Sequence, residues 1–205
     1  MICLVDYGVG NIQAFITLYQ RLGIHSQRAR TADDLAGATR LILPGVGNFD
    51  HAMQRLEDSG MRSALDTKVL EQGVPVLGVC VGMQMMAECS DEGVLPGLNW
   101  VPGRVRAFAS NPLSANLPLP HMGWNHVQPA SSSRLFSNGF DDAAQFYFLH
   151  SFYFDAQDKA DVAATAHYGQ DFDAVVSRGH IHGVQCHPEK SHRWGEQLLK
   201  NFAEL

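Results

Sequence analysis

No apolar run in this sequence reaches the roughly 18 residues that crossing a bilayer requires. Cysteine is sparse: Cys3, Cys80, Cys89 and Cys186 form no C-x-x-C pair, which argues against a zinc ribbon or a dense disulfide framework. With no signal-peptide pattern ahead of them, the expectation is reduced thiols in a cytoplasmic protein. Basic charge is also short, since 15 Lys and Arg face 21 Asp and Glu for a formal net charge of −6. There is therefore no electrostatic footprint for nucleic acid or an anionic membrane surface. What remains is a 205-residue chain, 45% hydrophobic, able to bury one substantial core as a single domain spanning 1–205. Small-molecule chemistry is the function class this leaves.

The most informative stretch is Pro75-Val-Leu-Gly-Val-Cys80-Val-Gly-Met-Gln84. Val74–Val79 reads as a buried strand, and Gly78 and Gly82 flank Cys80 at the G-x-C-x-G spacing of a nucleophile elbow. That turn lifts one side chain out of the sheet, placing the thiol at the start of a helix. Free backbone N–H groups there favour thiolate, which matters because an ordinary cysteine of pKa about 8.5 is scarcely ionised at neutral pH. The competing reading is a buried cysteine acting as a small hydrophobe.

Other segments fit an alternation of strands and helices. Met1–Asp6 starts the chain as a strand, and Ile12, Phe15, Ile16, Tyr19 and Leu22 follow at helical spacing. Gly8 and Gly10 suggest a dinucleotide loop, but the third glycine of that fingerprint is missing. Gly23–Arg30 reads as a second strand, with Thr31 as a helix start. Leu41-Ile-Leu-Pro44-Gly-Val-Gly47 is another strand ending in glycines, and 49–70 a helix interrupted near Gly60. If these strands run parallel, their carboxyl ends open on one edge, bringing Gly45 to Gly47 near Cys80. Beyond residue 92 short strands and turns take over, with Trp100–Phe108 among them. His121–Val127 is expected on an exposed edge, and Gln145–Phe154 as an aromatic strand in which His150 and Ser151 interrupt the apolar run. For His150 alone, a hydrogen-bonded core histidine is the plainer reading.

Near the end, Val175–Arg178 and His180–Gln185 read as a hairpin feeding Cys186-His187-Pro188-Glu189-Lys190-Ser191, with a closing helix to Phe202. Pro188 ends the strand and lets His187 and Glu189 project toward one place, the base-and-orienter pair that a cysteine nucleophile needs. A metal site built from His180, His182, Cys186 and His187 is the rival. Strand alternation sets His182 and Cys186 on one side and His187 on the other, which counts against it.

Three separated motifs, Leu43-Pro-Gly-Val-Gly47, Gly78-Val-Cys80-Val-Gly82-Met-Gln84 and Gln185-Cys-His187-Pro-Glu189-Lys-Ser191, together resemble the triad-type, class I glutamine amidotransferases. Pro120-His-Met-Gly-Trp124-Asn125 and Asp6-Tyr-Gly-Val-Gly-Asn11 narrow the resemblance to its glutaminase-subunit branch, which serves imidazole glycerol phosphate synthase in histidine biosynthesis. It extends from residue 1 to about residue 202. It implies an α/β fold with a mostly parallel, flavodoxin-like central sheet flanked by helices, plus an additional antiparallel β region. It further implies a catalytic triad of Cys80, His187 and Glu189, with no cofactor and no metal. Gly45, Gln84 and the His150-Ser151-Phe152 segment match positions that hold the glutamine substrate. Val46, through a peptide flip, Gly47 and Val81 match the oxyanion hole. Trp124, Asn125, Tyr147 and Lys190 match an interface with a separate (βα)₈-barrel cyclase subunit, since no acceptor domain is present in this chain.

Departures from the family pattern touch packing rather than chemistry: Val79 and Val81 trim volume, and Cys186 stands where phenylalanine is usual. The unfamiliar 111–120 loop leaves the partner open. A cyclase-like partner in another pathway such as surface-polysaccharide sugar amidation, a free-standing γ-glutamyl hydrolase and an inactive binding subunit are the other readings.

Overall fold

Three apolar runs make the centre of the sheet. Ile2–Val5 (β1), Arg40–Gly45 (β3) and Val76–Cys80 (β4) are buried almost throughout, as strands covered on both faces must be. The computed structural model describes residues 1–205. In it these strands run parallel between Ser26–Ala29 (β2) and Ile181–Val184 (β13), in the order β2-β1-β3-β4-β13. That is the flavodoxin-like order, with carboxyl ends on one edge. The sheet then continues antiparallel through Gln170–Arg178 (β12), Phe152–Ala156 (β10) and Gly103–Ala107 (β6), with Cys89–Ser90 (β5) beside β6.

Helices cover the parallel half. Ile12–Arg21 (α1) buries Ile12, Phe15, Leu18 and Tyr19, and Asn11 caps it by accepting from the Ala14 N–H at 3.2 Å. Phe49–Asp58 (α2) is capped likewise by Asn48. Gly60 at φ +70° ends that run before Arg62–Asp66 (α3), so the interruption falls where the sequence puts it. His192–Glu204 (α5) closes the chain. Fifty-six buried apolar residues form one continuous cluster. No helix is long and apolar enough to cross a membrane.

Elsewhere the structure differs from the sequence reading. The aromatic run 145–154 breaks at Ser151: Gln145–His150 (β9) pairs with His121–His126 (β7) in a separate two-stranded sheet, while β10 joins the main one. Thr31 starts only one 3₁₀ turn at Asp33–Leu35, where its Oγ1 accepts from Asp34 N–H and the Asp34 carboxylate takes the N–H groups of Arg30 and Thr31. Val162–Tyr168 (β11) escaped the sequence altogether. It pairs with β12 and with Gln128–Pro129 (β8), turning at Gly169 with φ +70°. Polar residues such as Asp173, buried against Lys159 at 2.9 Å, hide the apolar alternation there. Trp100 lies in a bend instead of a strand, its Nε1 donating to Asp66 at 2.7 Å.

Candidate active site

β4 ends on Cys80, whose backbone sits at φ 55°, ψ −116°, a conformation that glycine adopts freely and other residues resist. The flanking glycines serve close approach. A Cβ on Gly82 would overlap the Leu43 carbonyl, and one on Gly78 would meet the Gly82 carbonyl oxygen at 2.6 Å. The strain therefore resides on the cysteine, at about 1–3 kcal/mol. Cys80→Gly should accordingly be more stable than Cys80→Ala by about 1 kcal/mol, reversing the usual order of the two residues. Urea unfolding of both variants checks this, and an alanine variant equal to or above the glycine one would remove the strain argument.

The helix after the elbow is shorter than the sequence suggests. Val81–Gln84 (α4) has four residues, too few for a useful macrodipole. His187 lines a cavity with Cys80 from the far end of the chain. Its N–H donates to the Tyr147 carbonyl at 2.8 Å, and Ser191 Oγ donates to its carbonyl at 2.6 Å, so its backbone is pinned between β9 and the turn that Pro188 begins. The ring is buried, with Nδ1 2.8 Å from Glu189 Oε1. Burial alone would depress its pKa, but the interactions with Cys80 and Glu189 outweigh it and raise it to about 10. The second Glu189 oxygen is buried without a protein partner.

A cavity of about 470 Å³ opens over Cys80 and His187. Val46, Gly47, Val81, Gln84, His150, Ser151, Phe152 and Lys190 also line it. Gly45 lies just below, paired with Cys80 across β3 and β4. The N–H groups of Val46 and Gly47 make no hydrogen bond within the protein. Gly47 has φ +86°, and a Cβ there would meet nothing. Gln84 is buried, with Nε2 donating to the Phe152 carbonyl at 3.1 Å and to Gln185 Oε1 at 3.0 Å.

The interface candidates also gather. Trp124 and Tyr147 are cross-strand partners with ring centroids 6.1 Å apart, and Lys190 Nζ lies 5.6 Å over the Tyr147 ring. Asn125 follows on β7, and Met122 and Trp124 face outward. The possible metal ligands instead disperse. His180 bonds the Val69 carbonyl, His182 bonds Ser177, and no three His, Cys, Asp or Glu side chains gather as a ligand set. Strand alternation does not extend to Cys186 and His187, because the strand stops at Val184.

The sequence profile of glutamine amidotransferase class-I matches residues 3–205. The chain belongs to this family. Three relatives carry the name imidazole glycerol phosphate synthase subunit HisH, and each match covers the whole of both chains. That of Bdellovibrio bacteriovorus is 59% identical, that of Leptospira borgpetersenii 44%, and subunit HisH 2 of Pseudomonas aeruginosa 42%. Among solved structures, a glutamine amidotransferase superposes with a TM-score of 0.74 at 18% identity, covering 99% of this chain and 97% of that one. PurLQS from Thermotoga maritima gives 0.72 at 16% identity with the same coverage. Both show the fold.

Three residues beside this amidotransferase site went unassigned in the sequence. Gln185 is wholly buried with Nε2 3.8 Å from Cys80 Sγ, and its place two residues before His187 was the available signal. His121 was expected on an exposed edge but points inward, its Nδ1 2.9 Å from His150 Nε2. His192 stacks on Trp124 at 5.1 Å, which only the start of α5 beside β7 could reveal.

Proposed function

We propose that this chain is the glutaminase subunit of imidazole glycerol phosphate synthase, hydrolysing glutamine at Cys80 and passing ammonia to a cyclase subunit in histidine biosynthesis. Full-length similarity to subunits of that name supports the pathway. The buried Cys80, His187 and Glu189 set beneath one cavity is the observation that carries the chemistry.

In this reading the Cys80 thiolate attacks the side-chain amide carbon of glutamine, and the oxyanion is met by N–H groups of Val81 and the Val46-Gly47 segment. Collapse breaks the C–N bond as His187 gives its proton to the departing ammonia. Water, deprotonated by His187, then cleaves the γ-glutamyl thioester, and glutamate leaves with the sulfur restored. Gln84 has both N–H groups turned inward, so its carbonyl oxygen is left for the substrate's α-ammonium. Backbone at His150, Ser151 and Phe152 forms the opposite wall.

Ammonia set free in neutral water becomes ammonium, which is no nucleophile, so it must pass directly into the acceptor enzyme. We place that partner, a (βα)₈-barrel cyclase, on the exposed face made by Trp124, Asn125, Tyr147 and Lys190. The test uses a glutamine-like diazo-ketone and the reconstituted complex. The reagent should label Cys80, leaving Cys3, Cys186 and the exposed Cys89 untouched. Cys80→Ser should abolish synthesis from glutamine while retaining synthesis from ammonium salts. Labelling at another cysteine, or loss of both activities, would overturn the assignment.

A further inference from the structure

The inner wall of the cavity holds a row of hydrogen bonds whose direction is set at one point. A carbonyl oxygen only accepts, and that of Phe152 takes both Gln84 Nε2 at 3.1 Å and His150 Nδ1 at 2.8 Å. The Gln84 amide must therefore turn its NH₂ inward, which resolves the usual ambiguity between amide oxygen and nitrogen. That NH₂ also lies 3.0 Å from the Gln185 amide, so Gln185 accepts there with Oε1. Its own NH₂ is left facing Cys80, with Nε2 3.8 Å from Sγ. No other protein group takes a hydrogen bond from this side chain.

The row continues the other way. Because His150 Nδ1 donates, its Nε2 accepts, so His121 Nδ1 donates across 2.9 Å. His121 Nε2 is then the acceptor for Asn125 Nδ2 at 3.2 Å, and Asn125 also donates to the His167 carbonyl at 2.8 Å. Burial lowers the pKa of His121 to about 4 and that of His150 to about 3, so both rings stay neutral at pH 7. Every proton in the row thus has one place, from Asn125 on β7 to the sulfur.

We propose that Gln185 is a positioning residue for the nucleophile, donating an amide N–H to the Cys80 sulfur so that thiolate is favoured over thiol and is held in one direction. A donor to the charged form lowers its free energy, and the Gln185 amide, wholly buried on the protein side of the sulfur, is not replaced there by solvent. The bond at 3.8 Å is long for a neutral thiol, which accepts weakly, and should shorten when the sulfur is ionised. His187 and Gln185 would then grip the sulfur from two sides, one supplying the proton traffic and the other a fixed dipole. This rests on Cys80 being the nucleophile.

The experiment follows alkylation of the Cys80 peptide by iodoacetamide in the full chain, with Cys89→Ser to remove the exposed competitor, between about pH 5 and 10. Gln185→Met keeps the side chain's length and loses the donor. Its alkylation midpoint should rise by about 0.5–1 unit, with a three- to tenfold slower rate near pH 7. A midpoint within about 0.2 unit of the parent's would reduce Gln185 to packing. A second measurement needs no substitution at Gln185. In the chain labelled with ¹⁵N-glutamine, the Gln185 side-chain NH₂ resonances should shift as Cys80 ionises and stay still in Cys80→Ala, and resonances indifferent to that titration would overturn the proposal even if Gln185→Met does not fold. If the diazo-ketone fails to label Cys80, the reading of the whole site falls. If labelling succeeds and both Gln185 readouts stay still, only this inference falls.

Discussion

His187→Ala is expected to lower glutamine-dependent turnover of the assembled complex by about a thousandfold or more, while synthesis from ammonium salts stays within about twofold. The size follows from two jobs held by one ring. In the proposed mechanism His187 is the base beside Cys80, and it is also the acid for a leaving group that cannot depart as an amide anion. Its pKa of about 10 would make a reluctant acid if it were fixed. It is not fixed, because the interaction with Cys80 is among its causes. Once the sulfur attacks, its negative charge passes to the substrate oxygen, the imidazolium loses that support, and its proton becomes available at the stage where ammonia needs it. Glu189, buried at 2.8 Å, still orients the ring for the following step with water. Steady-state rates with glutamine and with ammonium chloride, measured on the same preparation, check both halves. A loss of less than about tenfold with glutamine would mean that another group serves as base.

The parallel half of the fold was legible because its strands are covered on both faces. Continuous apolar runs such as Leu41–Leu43 and Val76–Val79 leave few alternatives, and glycines mark where each run stops. The antiparallel region was poorly legible for the same physical reason in reverse. β11 and β12 carry Asp171, Asp173 and His167 among apolar residues, and Asp173 becomes a strand residue only because Lys159 reaches it from another segment. The switch of sheets at Ser151 is likewise decided by β7, which is distant in sequence. Within the site, Cys80, His187 and Glu189, which the structure brings together, were singled out by residue type and spacing. Gln185 and His121 did not, since an amide or imidazole gains its meaning from the partner it faces, and those partners are Cys80 and His150.

Glutamine hydrolysis by the isolated chain should be slower, by at least about a hundredfold, than in the complex whose cyclase carries its ribonucleotide. The switch lies at the rim of the cavity. Val46 is exposed there and Gly47 adopts φ +86°, with neither N–H engaged in the protein. Turning that peptide therefore breaks no internal hydrogen bond, and glycine accepts backbone angles on either side of zero. A donor turned toward the substrate oxyanion contributes about 2.7–4 kcal/mol to the transition state, and 3 kcal/mol corresponds to about a hundredfold in rate. A partner seated on Trp124, Asn125 and Lys190 would touch the same rim, since Lys190 and Val46 line one cavity. Binding could then hold the productive orientation and silence the enzyme when the acceptor is empty. Glutamate release would be measured for the chain alone, with cyclase, and with cyclase plus ribonucleotide. Activation well beyond a hundredfold would require His187 or the Cys80 thiolate to move as well. Full activity of the chain alone would show the oxyanion donors already set, and the protein would then act as a free hydrolase. Inertness with this cyclase but activity with a cyclase-like partner from another pathway would keep the chemistry and move the protein out of histidine synthesis.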